Sequence, residues 1–305
     1  MLFVRLVRLV LRLKPDVIQT WLLQMDILGG LAALLTNTPW LLREPVSGLF
    51  WTGGLKTRLR RWIGVRADAI VSNSAGGDAY WADVKPAAQR FVIGNVVPMD
   101  EIAAVPKAPD RSLGFSDTRP IIMSAGRLDE QKNFEVMIRG LAKVLDQTGA
   151  GAVIFGEGPL RGRLEVVIRD CGMQEKILLP GTVPSIWGAL KSARIFISLS
   201  RYEGHPNVVL EAMACGCPLI VSDIPSHREF LDETTAVFVA QYEDPGAVAS
   251  AILEVLENTE ATSMRSRAAR ARLNLGYSVA TISGKYESVY ETVLARRERK
   301  PSVEE

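Results

Sequence analysis

The chain has 305 residues, of which 48% are hydrophobic and 23% charged, a composition expected of a folded, soluble protein long enough for two domains. A net charge of +2, with no clustering of aromatic residues among basic ones, argues against nucleic acid as a partner. The three cysteines, Cys171, Cys215 and Cys217, form neither a disulfide framework nor a Cys-x-x-Cys pair and fit a reducing cytoplasm, and with only two histidines, His205 and His227, a multi-histidine metal centre is excluded.

Residues 1–14 read as an amphipathic helix, with Arg5, Arg8 and Arg12 on one face and Phe3, Leu6, Val10 and Leu13 on the other. No run reaches the roughly 18 uninterrupted apolar residues of a membrane span. A signal peptide is a poor fit, since the arginines interrupt any apolar stretch and no small-residue cleavage site follows. Two readings stay open: a membrane-surface helix making a peripheral contact at the inner face of a bilayer, and a scaffold helix feeding the first strand, which is preferred.

From residue 16 to about 97 short apolar segments alternate with helical ones. Strands are expected at Val17-Ile18, Trp40–Leu42, Ala69–Val71 and Phe91–Ile93, with helices over Asp26–Leu35 and Leu55–Ala67. This βα rhythm implies a parallel sheet. With about four strands and no glycine-rich first turn, the domain is short of a complete doubly wound unit by roughly one βαβ. Residues 98–119, carrying Pro98, Pro106, Pro109 and Gly114, read as a linker.

A second series follows, with strands at Ile121–Met123, Val153–Phe155, Ile177–Leu179, Ile195–Leu199, Leu219–Val221 and Val237–Val239. Helices are expected near 134–147, 160–171, 186–192, 208–215, 226–232 and 245–257. Such near-continuous apolar strands are buried on both faces and make a complete doubly wound sheet. The expected boundaries are therefore 1–98 for the first domain, 99–119 for the linker, 120–275 for the second domain and 276–305 for a closing helix with a solvated tail.

Three loops of the second series carry chemistry. Ser124-Ala-Gly126-Arg127-Leu-Asp-Glu-Gln-Lys132-Asn133 leaves the first strand with two cations able to neutralise a diphosphate, Arg127 through bidentate contact and Lys132 as a point charge. Gly156-Glu-Gly158-Pro159-Leu-Arg-Gly162 is a near miss for a dinucleotide fingerprint and lacks the acidic residue expected downstream; close packing and ligand contact both remain open for Gly156 and Gly158. In Arg201-Tyr-Glu203-Gly-His205-Pro206-Asn207-Val208-Val209-Leu-Glu211, Asn207 stands where an N-cap belongs, and the helix it opens faces the crevice with its positive end. Glu203 and Glu211, eight positions apart, each suit a vicinal diol, Glu203 on a sugar ring and Glu211 on a ribose. No Asp-x-Asp pair, the usual sign of a metal-held sugar nucleotide, is present.

The segment from Glu203 to Gly216 resembles the donor-binding motif of the retaining glycosyltransferases of family 4, and Gly126-Arg127-Leu with Gln131-Lys132-Asn133 resembles that family's diphosphate clamp. The resemblance is strong over residues 120 to about 260 and weak over 1–98. It implies an α/β protein of GT-B architecture, two Rossmann-like doubly wound domains facing a cleft, the first incomplete here, with the closing helix returning to the first domain. It further implies donor contacts from Gly126, Gly156, Gly158, Val183, His205, Pro206, Asn207, Val208, Val209 and Glu211, and catalytic roles for Arg127, Lys132 and Glu203. Some family members carry a first-domain histidine near the reacting carbon; this chain has Arg43 and Glu44 there, and with Asn73 and Asn95 at neighbouring strand ends these are the acceptor-side candidates.

The activity so implied moves a sugar from a nucleotide diphosphate sugar to a saccharide or lipid-linked acceptor, with retention and with neither cofactor nor metal. Two alternatives stand beside it: a donor-binding subunit inactive by itself, and an epimerase or phosphorylase of the same architecture.

Overall fold

The computed structural model describes residues 1–51, 53–109, 113–115 and 119–298. It divides into two units, one of Met1–Val96 with Val279–Glu305 and the other of Val97–Ser278.

In the first unit α1 (Leu2–Leu13), β1 (Ile18–Trp21), α2 (Leu23–Leu35), β2 (Trp40–Glu44), α3 (Leu55–Gly64), β3 (Ala69–Ser72), α4 (Ala75–Ala79) and β4 (Arg90–Val92) follow in order. The four strands pair in parallel in the order β1-β2-β3-β4. α1 turns Val10 inward with Phe3 and Leu6 half-buried, as its pattern predicts, but Leu13, the last residue before a left-handed Lys14, is 63% exposed. α4, capped by Ser74 accepting from the Gly77 amide at 3.1 Å, has no apolar period and was not expected.

The second unit starts earlier than the expected domain. The proline-rich stretch read as a linker contains α5 (Met99–Ala104), whose Ile102 is 1% exposed, and Lys191 Nζ bonds the carbonyls of Ile102, Ala103 and Val105. This stretch is tied down by its own carbonyls and buried side chains rather than free; residues 110–112 and 116–118 of it lie outside the described residues.

There follow β5 (Ile121–Ala125), α6 (Phe134–Ala142), α7 (Leu145–Thr148), β6 (Gly151–Phe155), α8 (Arg161–Asp170), β7 (Ile177–Gly181), α9 (Trp187–Ser192), β8 (Ile195–Ser198), α10 (Asn207–Ala214), β9 (Leu219–Ser222), α11 (Pro225–Arg228), β10 (Val237–Val239), α12 (Pro245–Glu257) and α13 (Thr259–Gly276). The helix expected over 134–147 is broken between α6 and α7, and that expected over 226–232 stops at Arg228. α12 begins as its sequence dictates, with Pro245 in the first turn and Asp244 accepting from the Gly246 and Ala247 amides, both at 3.0 Å. α13, rich in Arg and Ser with little apolar period, was not foreseen.

All strands of this sheet are parallel, in the order β10-β9-β8-β5-β6-β7. Successive residues serve opposite faces: Ile122, Ile154, Ile197 and Ile220 join one core cluster, and Ile121, Met123, Val153 and Phe196 the other. The chain reverses its winding between β5 and β8, and in such sheets ligands bind beyond the carboxyl ends of the strands at that point.

The closing helix, α14 (Val279–Glu298), belongs to the first unit, where Ile282, Val289 and Val293 pack on Leu41, Ala69 and Val71 of its sheet. Arg297 fixes its far end by donating to both carboxylate oxygens of Asp68 at 2.9 Å.

Candidate functional site

At the switch point of the six-stranded sheet, the loops after β5 and β8 are stitched together. Arg201 donates its amide to the Gln131 carbonyl (2.8 Å) and Gln131 Nε2 donates to the Tyr202 carbonyl (2.8 Å). These bonds bring Lys132 and Glu203 into contact: Lys132 Nζ donates to Glu203 Oε1, which also accepts from Ser200 Oγ at 2.7 Å, while Gln131 Nε2 reaches Oε2 at 3.3 Å. Glu203 is 7% exposed, and Ser226 Oγ holds its carbonyl at 2.7 Å. A nearly buried carboxylate with three donors is fixed in orientation, and each of those donors is one that a ligand would have to share.

Beside this pair the ends of β5, β6 and β7 enclose a hollow of about 320 Å³ lined by Gly126, Arg127, Gly156, Glu157, Thr182 and Val183, among others. The glycines are required by close approach. Gly156 has φ +130°, and a Cβ there would lie 1.9 Å from the Gly126 carbonyl oxygen; at Gly158 it would lie 2.4 Å from that of Leu128. The loops lie this close because the Leu128 amide bonds the Glu157 carbonyl and the Gly126 amide bonds the Phe155 carbonyl. Gly158 is thus a packing glycine, whereas Gly156 packs and also lines the hollow. Gly126 lets the Lys132 stem pass, its Cε only 3.1 Å from where a Cβ would stand.

Arg127 also lines this hollow, its side chain is 73% exposed, and its Nε lies 3.7 Å from Asp129 Oδ2. Of the expected clamp, Lys132 is placed against Glu203 and Arg127 extends into solvent.

α10 starts differently from the expectation. Asn207 is its first residue and Pro206 the cap, with no side chain closing the helix end. An Asn cap needs an extended backbone, and here Pro206 takes that conformation, at φ −74° and ψ 99°. The Val209 and Leu210 amides bond the Pro206 carbonyl at 3.1 and 3.3 Å, so Val209, fully buried, serves as packing and not as a free donor. Val208, Val183 and Trp187 pack together on one core cluster. Glu211 stands one turn into α10 bonded to the Trp187 side chain, its carboxyl pushed above the usual range by burial, which outweighs that bond.

His205 was open between cleft duty and local bonding. It is 7% exposed and stacks on Tyr277 at 5.1 Å between centroids, with Phe230 also at 5.1 Å, so its ring packs the loop before α10 against these two aromatic side chains. His227 is fully buried, its Nδ1 against the Ser222 carbonyl at 2.8 Å, and burial lowers its pKa, favouring the neutral ring near Glu203 and Lys132.

Sequence reasoning missed Ser200, Ser226 and Trp187, and it named Gln131 only within the clamp motif, without a role of its own. Only Gln131 and Ser200 carried any signal, as polar residues at the ends of apolar strands or beside the basic residues of such loops.

The acceptor-side candidates all lie in the first unit. Glu44 is wholly buried, its Oε2 accepting from Arg60 Nη1 (2.7 Å) and Trp81 Nε1 (3.1 Å) and its Oε1 from Trp51 Nε1 (3.2 Å). Burial still raises its pKa. Its oxygens are committed to the core, which is a structural post. Arg43, 2% exposed, bonds the Val71 carbonyl at 3.2 Å and Asn95 Oδ1 at 3.0 Å and lies over the Trp21 ring. Asn73, also 2% exposed, donates to the Pro45 carbonyl at 2.6 Å.

The family described as Glycosyl transferases group 1 matches residues 107–272, more than half of the chain, including the loops that carry Lys132 and Glu203. The chain belongs to this family. As a group 1 chain it is 28% identical over 216 residues to the N-acetylgalactosamine-N,N'-diacetylbacillosaminyl-diphospho-undecaprenol 4-alpha-N-acetylgalactosaminyltransferase of Campylobacter jejuni, covering 68% of this chain and 56% of that one. It is 25% identical to the lipopolysaccharide core biosynthesis glycosyltransferase LpsE of Rhizobium meliloti over 85% of this chain and 69% of that one. An uncharacterized glycosyltransferase of Methanocaldococcus jannaschii is 32% identical over 48% of this chain and 38% of its own. The chain spans about half the length of several of the curated relatives it matches.

Among solved structures, Anabaena Alr3699/HepE in complex with UDP-glucose superposes with a TM-score of 0.84 at 18% identity, over 96% of this chain and 82% of that one. Sucrose-phosphate synthase from Thermosynechococcus elongatus gives 0.78 at 20%, over 97% and 79%. The likeness establishes a GT-B fold of two parallel-sheet α/β units.

Proposed function

We propose that the chain is a retaining glycosyltransferase that moves a sugar from a nucleoside diphosphate sugar to a hydroxyl of a saccharide or lipid-linked acceptor without a metal ion. The contact between Lys132 and Glu203 at the switch point supports this most directly. The two neutralise each other; a donor divides them, its diphosphate taking Lys132 and its sugar hydroxyls taking Glu203, which Ser200 and Gln131 keep oriented. Arg127, its side chain mostly exposed, supplies the second cation over the hollow, and Glu211 accepts the ribose diol. The anomeric C–O bond breaks with its electron pair going to the diphosphate, whose growing charge Lys132 and Arg127 offset. The acceptor oxygen bonds the anomeric carbon from the same face and its proton leaves with the diphosphate.

The relatives support the substrate classes: the C. jejuni relative is named for a diphospho-undecaprenol substrate, LpsE for lipopolysaccharide core, and the Anabaena structures hold UDP and UDP-glucose. The test is incubation with nucleoside diphosphate sugars and lipid-linked saccharides, with chelator present, and NMR of the product's anomeric proton. Acceptor-dependent release of nucleoside diphosphate with a retained anomer supports the reading. Turnover with phosphate alone turns it toward a phosphorylase, turnover of donor alone toward an epimerase, and binding without turnover toward a donor-binding subunit.

A cytoplasmic location with a peripheral membrane contact through α1 is part of the same proposal. Its Arg5, Arg8 and Arg12 are exposed, flanked at helical spacing by Leu2, Leu9 and Leu13 on one side and Val4 and Leu11 on the other, all exposed. Arginines on lipid phosphates and leucines at the acyl boundary match an anionic bilayer. Among the described residues no helix is long and apolar enough to cross a membrane. Cosedimentation with phosphatidylglycerol vesicles, lost when the three arginines become glutamine, is the expected result; unchanged cosedimentation of the variant would reject it.

A further inference from the structure

The six-stranded sheet has a second hollow at its other end. It measures about 350 Å³ and lies where Arg194 precedes β8, Pro218 precedes β9 and Gly216 follows α10. This is the amino end of the strands, whereas Lys132 and Glu203 stand at the carboxyl end. The far wall is one face of α13, where Thr259, Thr262, Ser263, Ser266, Arg267 and Arg270 recur at helical spacing.

Three arginines, Arg194, Arg267 and Arg270, line this hollow, and no aspartate or glutamate is among its lining residues. Among the described residues none of the three forms an ion pair, although Arg265 and Arg272 on the same helix pair with Glu254 and Asp232. Thr262 and Ser266 spend their hydroxyl protons on the Val255 and Thr262 carbonyls, which leaves Ser263 and Thr259 as donors. Thr259 opens α13, so the positive end of that helix adds to the field; the negative end of α10, about half a charge, opposes it and is outweighed by three full charges. Arg270 also acts on Cys215, lowering a thiol pKa that burial otherwise raises.

We propose that this hollow is an anion site for a phosphate group, separate from the donor site. A carboxylate presents one edge and satisfies one arginine fork, whereas a phosphate monoester presents three terminal oxygens to three guanidinium groups. A nucleic-acid strand is disfavoured, since no aromatic side chain lines the hollow. The group comes either from a small soluble phosphate or from a lipid headgroup, and the site chemistry is the same for both.

The test is calorimetric titration of the full chain with inorganic phosphate and pyrophosphate, and cosedimentation with phosphatidylcholine vesicles with and without phosphatidylglycerol. The vesicle arm uses the Arg5/Arg8/Arg12→Gln background to remove any contact through α1. The site variant is Arg194→Gln/Arg267→Gln/Arg270→Gln, and Arg169→Gln on α8 removes an exposed charge elsewhere as the control; thermal melts confirm that each folds. Phosphate or pyrophosphate binding weakened at least about tenfold in the site variant and unchanged in the control supports the soluble source. Binding of phosphatidylglycerol vesicles alone, lost only in the site variant, supports the headgroup. Absence of binding to all probes, or binding equal in the site variant and the parent, overturns the site.

Discussion

Lys132 donates its ammonium to the carboxylate of Glu203, 71 positions later in the chain, and Ser200 and Gln131 complete the carboxylate's shell. The pair is nearly enclosed, with 17% and 9% of the two side chains exposed. Removing either partner leaves the other poorly solvated, so the two residues are expected to be coupled in stability.

Lys132→Ala is expected to lower kcat/KM by on the order of a hundredfold, about 3 kcal/mol, because charge compensation that grows as the diphosphate leaves is lost. Steady-state kinetics checks this, and kinetics equal to the parent's would remove Lys132 from the clamp.

Glu203→Gln keeps an acceptor for Ser200 but strands the Lys132 charge. A loss of about 1 to 2 kcal/mol in urea stability is expected, less than for a fully buried pair because both groups touch solvent. The double variant with Lys132→Met should recover part of that loss, and strict additivity would show the pair uncoupled.

Gly156→Ala sets a Cβ 1.9 Å from the Gly126 carbonyl at φ +130°, so a destabilisation of about 3 kcal/mol or more is expected from strain and displaced loops. Gly162→Ala, where a Cβ meets nothing within 4 Å, is the control and should be neutral or stabilising. Denaturant midpoints decide.

The proposed ribose contact requires an ionised Glu211, and burial raises the folded-state pKa of that carboxyl above the ordinary 4.5, so nucleoside diphosphate binding is expected to be lost on acidification earlier than an exposed glutamate would lose it. Titration calorimetry across pH should show this fall, and Glu211→Gln should flatten it. A parent profile flat down to the ordinary glutamate range would contradict the assignment.

In the first unit Arg60 donates to both Asp26 and Glu44 at 2.7 Å with all three side chains buried. Arg60→Ala should cost about 3 to 5 kcal/mol, since two buried carboxylates lose their cation. Both have pKa values raised by burial, so the cost should shrink as acid protonates them, which urea titrations at two pH values would reveal.

The strands of the six-stranded sheet were legible because each is a short apolar run that stands out from polar loops, and α10 was legible because its start and stop residues flank it. Asn207 was misassigned because proline and asparagine both suit an extended cap position, and only the backbone angles tell which one took it. The stretch after Val97 looked like a linker because prolines mark both linkers and irregular packed segments; Ile102 and Lys191 decided it. α13 went unseen because its inward face carries Thr and Ser with few apolar residues, which leaves little periodicity to detect.

The sequence by itself determined the strands, the order of the loops and the residue types able to hold a diphosphate and a diol, because periodicity and turn chemistry are local. Only the tertiary structure decided that Lys132 meets Glu203, that Glu44 is sealed in an ion triad and that three arginines share one hollow. Such contacts join residues tens to hundreds of positions apart, and their geometry follows from strand order and burial, which no local pattern encodes.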